Sequence, residues 1–125
     1  MRLLIDSNAL IFALAQPANL SPAAREALQN PENERFVSMA AMWEIALRIS
    51  LGKLSLPASI PAALDLVAAI PLEITTTHIV RVQSLAPHHR DPFDRMMIAQ
   101  ALEENLTIVT RDRSFRAYGV PLLTA

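Results

Sequence analysis

Short apolar runs alternate with helical segments along the whole chain, and this alternation limits its fold more than any other feature. The runs RLLID (2–6), RFVS (35–38), LEIT (72–75), LTIVT (106–110) and VPLLT (120–124) have the length and the bordering turn-formers of strands. Between them lie helix signals. Ser7 or Asn8 can cap a helix over 9–14, and Ser21 with Pro22 opens another that Asn30 can stop. Residues 39–52 read as a helix ended by Gly52. Ser59 and Pro61 open a helix through Ala69, and Thr76 or Thr77 one that runs to about Ala86. The segment after Pro92 reads as helix to about Asn105. Strands alternating with helices predict an α/β fold, a three-layer α/β/α sandwich with a mainly parallel central sheet.

A length of 125 residues suits one domain, 1–125, with a substantial core. The chain is 52% hydrophobic with two glycines, which excludes a disordered polymer. The absence of cysteine excludes disulfides and thiolate zinc sites, and a reducing, cytoplasmic setting is the expectation. MRLLIDSNALIFALA superficially resembles a signal peptide, but Asp6, Ser7 and Asn8 break its apolar stretch. IPAALDLVAAIPL is interrupted by Asp65 and two prolines and is too short to span a bilayer. A soluble, unprocessed protein is expected, with no membrane partner.

A net charge of −1 does not advertise nucleic-acid binding. Yet Arg90, Arg95, Arg111, Arg113 and Arg116, with His88 and His89, gather in the last third around Asp91, Asp94 and Asp112. Basic residues around acids suit a phosphate substrate, and they equally suit a solvated surface.

Most of the 12 acids fall where water reaches them, among them Glu73, Glu103 and Glu104. Four call for more. Asp6 ends the first strand and Asp112 follows LTIVT by one residue. Ligands of open α/β sheets gather beyond the carboxyl ends of the strands, so both acids reach a functional edge. A helix cap explains Asp6 equally well, and an ordinary turn explains Asp112. Glu44 lies mid-helix in MAAMWEIALRIS, which is apolar nearly all round and predicts burial on several sides. A buried carboxylate needs a partner, either Arg48 one turn on or other groups in a cleft.

In HHRDPFDRMMIAQA, Pro92 at the first helical position makes Asp91 the N-cap and Asp94 the third helical residue. Both positions favour an acid. Asp94 also heads the apolar face that continues through Met97, Ile98 and Ala101, where an acid is costly without a cation. If Asp6, Glu44, Asp94 and Asp112 converge, they repel and raise one another's pKa values. A divalent cation would hold such a cluster ionised, and oxygen ligands favour Mg²⁺ or Mn²⁺. Such a site suits attack of water on a phosphodiester. The adjacent His88 and His89 cannot both face one site from a regular helix, so a surface role near phosphate fits them better than ligation. His78 falls in the first turn of its helix with no evident partner.

These residues are recognisable as a set. LLIDSNALIFAL, SMAAMWEIALRISLGKL, HRDPFDRMMIAQAL and LTIVTRD, closed by YGVPLL, resemble in order the motifs of PIN-domain ribonucleases. Within that family the chain is similar to VapC-like toxins of bacterial toxin–antitoxin systems, essentially end to end. The resemblance implies a metal site of Asp6, Glu44, Asp94 and Asp112, with Ser7 and Thr110 as nearby hydroxyls and Asp91 acting through water or through a ligand. It also implies dependence on Mg²⁺ or Mn²⁺, an RNA substrate, a homodimer and a cognate antitoxin. Arg95, Arg111 and Arg113 are the candidates for phosphate contact.

Three rival readings stand beside this one. A haloacid-dehalogenase-type phosphatase also has an acid after its first strand, but wants another two residues on, where DSN supplies Asn8. A phosphoacceptor receiver needs an Asp ending a central strand and a late Lys, whereas the only lysine is Lys53. A PIN-like module that only binds partners is the non-enzymatic alternative, and the complete acid set argues against it.

Overall fold

The computed structural model describes residues 1–125. Strands β1 (Arg2–Ile5), β2 (Glu34–Ser38), β3 (Ile70–Leu72), β4 (Thr107–Thr110) and β5 (Leu122–Thr124) form one sheet in the order β3-β2-β1-β4-β5. Every pairing is parallel, so the sheet is wholly rather than mainly parallel. Helices α1 (Ser7–Ala15), α2 (Pro22–Gln29), α3 (Met39–Ser50), α4 (Ile60–Leu66), α5 (Thr76–Ser84) and α6 (Pro92–Glu104) flank it. Leu3, Leu4, Ile5, Ile108 and Val109 have no solvent exposure. Parallel strands covered on both faces need continuous apolar runs, and RLLI and TIVT supply them. Truncating such a side chain to Ala costs about 2–5 kcal/mol.

The strand order places the site. From β1 the chain winds outward to β2 and β3, and from β4 it winds the other way to β5. A crevice therefore opens between β1 and β4 at their carboxyl ends. Helices α1 and α3 start there because they follow β1 and β2. Helix α6 also starts there, because it leads into β4 and so runs against the strands.

Several expected boundaries shift. Asp6, not Ser7 or Asn8, caps α1, and the helix begins at Ser7. Helix α4 stops at Leu66 instead of Ala69, and the chain turns through Ala68 at φ 50. The third strand is Ile70–Leu72, not 72–75. Pro71 speaks against a strand in sequence, but β3 is an edge strand, where a missing N–H is tolerated. Thr75 caps α5 in place of Thr76 or Thr77, and α5 ends at Ser84, short of 86. Two unforeseen 3-10 turns cover Pro17–Asn19 and Arg113–Tyr118. Helix α3 is not buried on several sides: Trp43, Leu47 and Ile49 are exposed. No helix is long and apolar enough to cross a membrane.

Helix α6 buries five consecutive residues, Met97 to Ala101, against α3, α5 and β4. Gln100 is among them and is satisfied on both sides. Its Oε1 accepts from the Ser38 hydroxyl, and its Nε2 donates to the Glu73 carbonyl at 3.3 Å. This buried pair of bonds fixes the start of α3 and the turn before α5 to α6.

Candidate active site

Each acid reaches the crevice for a local reason. Asp6 follows β1, its N–H continues the ladder to Val109, and its Oδ1 accepts from Ala9 N–H at 2.8 Å. It is thus a helix cap, and its position at the strand end also leaves it at the crevice. Ser38 caps α3, whose sixth residue is Glu44. Glu44 does not pair with Arg48; its Oε1 accepts from the Ser7 hydroxyl at 2.6 Å. That bond ties α3 to the first residue of α1. Asp91 caps α6, accepting from Phe93 and Asp94 N–H at 2.8 and 3.0 Å. The cap leaves Asp94, in the first helical turn, facing the crevice. Asp112 follows β4, with its N–H on Thr110 Oγ1 at 3.0 Å and its Oδ1 accepting from Ser114 N–H and Oγ.

Asp6 feels the charges of Glu44 and Asp112, and Asp94 those of Asp91, Glu44 and Asp6. Burial pushes Asp6 up, against hydrogen bonds from Thr110 and Ala9, and the charges of Glu44 and Asp112 push it further. Asp94 is raised to about 7 by burial first and by the Asp91 charge next; His89 opposes this, while Glu44 and Asp6 add to it. Asp112 is lowered overall: burial pulls it up, but bonds from Ser114 and His89 outweigh that. No lysine or arginine pairs with any of the four.

One residue enters that the sequence gave no reason to place here. The Nε2 of His89 lies 3.0 Å from Asp112 Oδ2 and 3.2 Å from Asp94 Oδ2. His89 is therefore not a surface residue beside phosphate; its ring bridges two of the acids. The adjacency of His88 obscured this, because a regular helix was assumed and the residues lie in a loop. The usable signal was the D-P cap itself, which fixes the chain just ahead of α6.

The arginines divide. Arg95 is not free for phosphate. Its guanidinium donates to the carbonyls of Ala86 and His89 and to the Tyr118 hydroxyl at 3.0, 3.3 and 3.2 Å, which binds the 86–91 loop. Arg111 bonds the Ala125 carbonyl at 3.2 Å and lies 4.4 Å over the Phe12 ring. Arg113 is exposed, with no bonded partner.

The donor set fits a hard divalent cation. Oxygen atoms of Asp94 and Asp112, with His89 Nε2, lie within 4.8 Å of one another. Asp6 and Asp94, raised first by burial and then by neighbouring acids, would both gain from a bound cation.

Known proteins are similar to the chain over nearly its whole length. The chain is 27% identical over 121 residues to Ribonuclease VapC22 of Mycobacterium tuberculosis, covering 94% of this chain and 92% of that protein. In fold it is similar to a chain of VapBC2 from Rickettsia felis, solved bound to a DNA fragment from its promoter. The TM-score there is 0.74 at 14% identity, with 98% of both chains covered. A toxin–antitoxin complex from Klebsiella pneumoniae gives a TM-score of 0.65 at 19% identity, covering 98% of this chain and 96% of that one. The PIN domain model matches residues 3–121. A strand order that opens a crevice between β1 and β4, acids delivered to it from four elements, and a family match over nearly the whole length lead to one conclusion: this chain belongs to the PIN-domain family.

Proposed function

We propose that this protein is an endoribonuclease dependent on Mg²⁺ or Mn²⁺, and the toxin of a toxin–antitoxin pair. The convergence of Asp6, Glu44, Asp94 and Asp112 beyond β1 and β4 carries the reading. Asp94 and Asp112, whose oxygens lie close together, would hold the cation. Asp6 and Glu44, whose charges reach Asp94, would complete the oxygen shell. Bound there, it would supply Lewis-acid stabilisation of the charge that develops on a phosphodiester.

The chain's own residues do the rest. Ala9 N–H holds the Asp6 carboxylate in orientation, and the Ser7 hydroxyl does the same for Glu44. An oriented carboxylate at this edge can position the attacking water and accept its proton. Exposed Arg113 would meet backbone phosphates, and Arg111 would do so only with the part of its guanidinium that Ala125 and Phe12 leave open. Asp91 acts by starting α6.

The likeness to Ribonuclease VapC22 supports RNA as substrate, and the likeness to a chain of a toxin–antitoxin complex supports a cognate antitoxin. The exposed Trp43, Leu47 and Ile49 on α3 are suited to a protein contact, which supports a homodimer or antitoxin seat. One domain acting in the cytoplasm completes the reading. Family membership favours it over a phosphatase of the haloacid dehalogenase type.

The test is cleavage of a mixed RNA pool with Mg²⁺, with EDTA, and by Asp94→Asn. Cleavage is expected only in the first arm. Undiminished cleavage in the other two would exclude this mechanism, and a protein that binds no Mg²⁺ or Mn²⁺ at millimolar levels would favour a partner-binding module.

A further inference from the structure

We infer that His89 is a positioning residue of the acidic site: its Nε2–H holds Asp112 in place beside Asp94, and it remains a hydrogen-bond donor, not a ligand, when a divalent cation is held there. The inference rests on the metal reading proposed above.

Distance alone would make His89 a third ligand, since its Nε2 lies among the carboxylate oxygens. The other ring nitrogen decides otherwise. Asp91 N–H donates to His89 Nδ1 at 3.1 Å. A nitrogen that accepts a proton donor presents its lone pair, so the neutral ring carries its own proton on Nε2. That N–H donates to Asp112 Oδ2 at 3.0 Å, and Asp94 Oδ2 lies 3.2 Å from the same nitrogen. For Nε2 to ligate, it must present a lone pair instead. The proton would move to Nδ1, donor against donor with Asp91 N–H.

That clash has no easy escape, because Asp91 is the N-cap of α6. Its side chain accepts from Phe93 and Asp94 N–H, and its carbonyl accepts the N–H of Arg95. Turning its own N–H away would disturb the first turn of the helix that carries Asp94.

His89 is pinned as firmly. Its N–H donates to the Tyr118 hydroxyl at 2.8 Å, and its carbonyl accepts from Arg95 at 3.3 Å. Tyr118 passes the restraint on to the Ala86 carbonyl at 2.7 Å. The ring meets Phe115 edge-on, centroids 5.5 Å apart. The loop thus aims one N–H at Asp112, with Asp94 in contact beside it. A donor there steadies the carboxylate against its neighbour yet leaves its oxygens further lone pairs for a cation.

The test uses the full chain, stripped with EDTA. Long-range proton–nitrogen NMR of the histidines should show the Nε2–H tautomer of His89 without metal and after saturation with Mg²⁺. A proton moved to Nδ1 by Mg²⁺ would overturn the inference. The electron spin-echo spectrum of the Mn²⁺ complex should lack directly coordinated imidazole nitrogen, and finding that coupling would overturn it too. His89→Gln, whose amide reaches the same place as a donor, should keep Mn²⁺ affinity near wild type. His89→Leu should lose about 10–100-fold, the usual effect of deleting a group that orients a ligand. Wild-type affinity in His89→Leu, or an equal loss in both variants, would count against it. Wild-type protein that takes up no Mn²⁺ would overturn the metal reading itself. Uptake with nitrogen coupling would overturn only the part assigned to His89.

Discussion

Two histidines in this fold are wired almost identically and sit in opposite electrostatic settings. His78 accepts Thr75 N–H on Nδ1 at 3.1 Å, and its Nε2 meets Glu104 Oε1 at 2.8 Å. His89 accepts Asp91 N–H on Nδ1 at 3.1 Å, and its Nε2 meets Asp112 and Asp94. Each bonds a backbone N–H beside a helix start, and each aims its second nitrogen at a carboxylate. The difference lies in how many carboxylates share that nitrogen. His78 has one, on an exposed side chain at the end of α6, and Gln100 lies within 3.5 Å on its other side. The donors and acceptors there balance, so the arrangement closes a capping box and docks α5 on α6. His89 faces two acids: it bonds Asp112, which Ser114 also serves, while the Asp94 carboxylate 3.2 Å away accepts no hydrogen bond. A balanced polar network stabilises a fold; an unbalanced one marks a place where a charge is missing.

The contrast breaks first at Asp94. Asp94→Asn should lower Mn²⁺ affinity and RNA cleavage beyond the roughly 10–100-fold typical of groups that only support a ligand. Calorimetry and gel-based cleavage read this, and circular dichroism should show the fold retained. Substituting Glu104→Gln at the other network should leave both activities near wild type. If it instead reduced metal binding, the two networks would not be separate.

His78→Ala tests the balanced side. The residue is fully buried, and its loss strands Thr75 N–H and leaves a cavity. Chemical denaturation should show a loss on the order of 3 kcal/mol, with the cleavage rate of the folded fraction unchanged.

The unbalanced side carries a pH signature. Asp94 titrates at about 7 in the folded chain against 3.8 as a free side chain, so the folded state holds the proton more tightly. Its contribution is fully present below about pH 4 and is lost as pH rises through about 7. Metal-free wild-type protein should therefore lose stability across that window relative to Asp94→Asn. Above pH 7 the variant should be the more stable by on the order of 2 kcal/mol, and the two should converge at low pH. Adding Mn²⁺ should reverse the order. A variant no more stable than wild type at high pH would mean that the empty site carries no strain of charge.

The smallest effect separates capping from ligation within one motif. Asp91→Asn keeps a capping side chain and should cost only a few tenths of a kcal/mol. Metal affinity should hold, because the backbone N–H that orients His89 is untouched.

Much of this was legible in the chain. RLLI and TIVT announced central strands because strands covered on both faces tolerate no polar break. Asp6 and Asp112 followed from those strands, and Asp91 and Asp94 from the D-P helix start. Glu44 was legible as an acid needing a partner, but the choice of Ser7 over Arg48 was not, since Ser7 is 37 residues away. Arg95 was misjudged because its carbonyl partners are set by a loop path that no periodicity encodes. Likewise, α3 looked buried by composition, while its outer residues Trp43 and Leu47 remain exposed in the single chain.

The sequence by itself determined what local chemistry can encode: strand–helix alternation, caps, and acids at element ends. Those signals act over a few residues, through hydrogen bonds and periodic burial. Tertiary structure alone decided that acids from four elements share one crevice, because that depends on β1 lying beside β4, over 100 residues further along the chain. It alone also set His89 between Asp94 and Asp112, since a loop residue's direction is fixed by Tyr118, Arg95 and Phe115 from elsewhere in the fold.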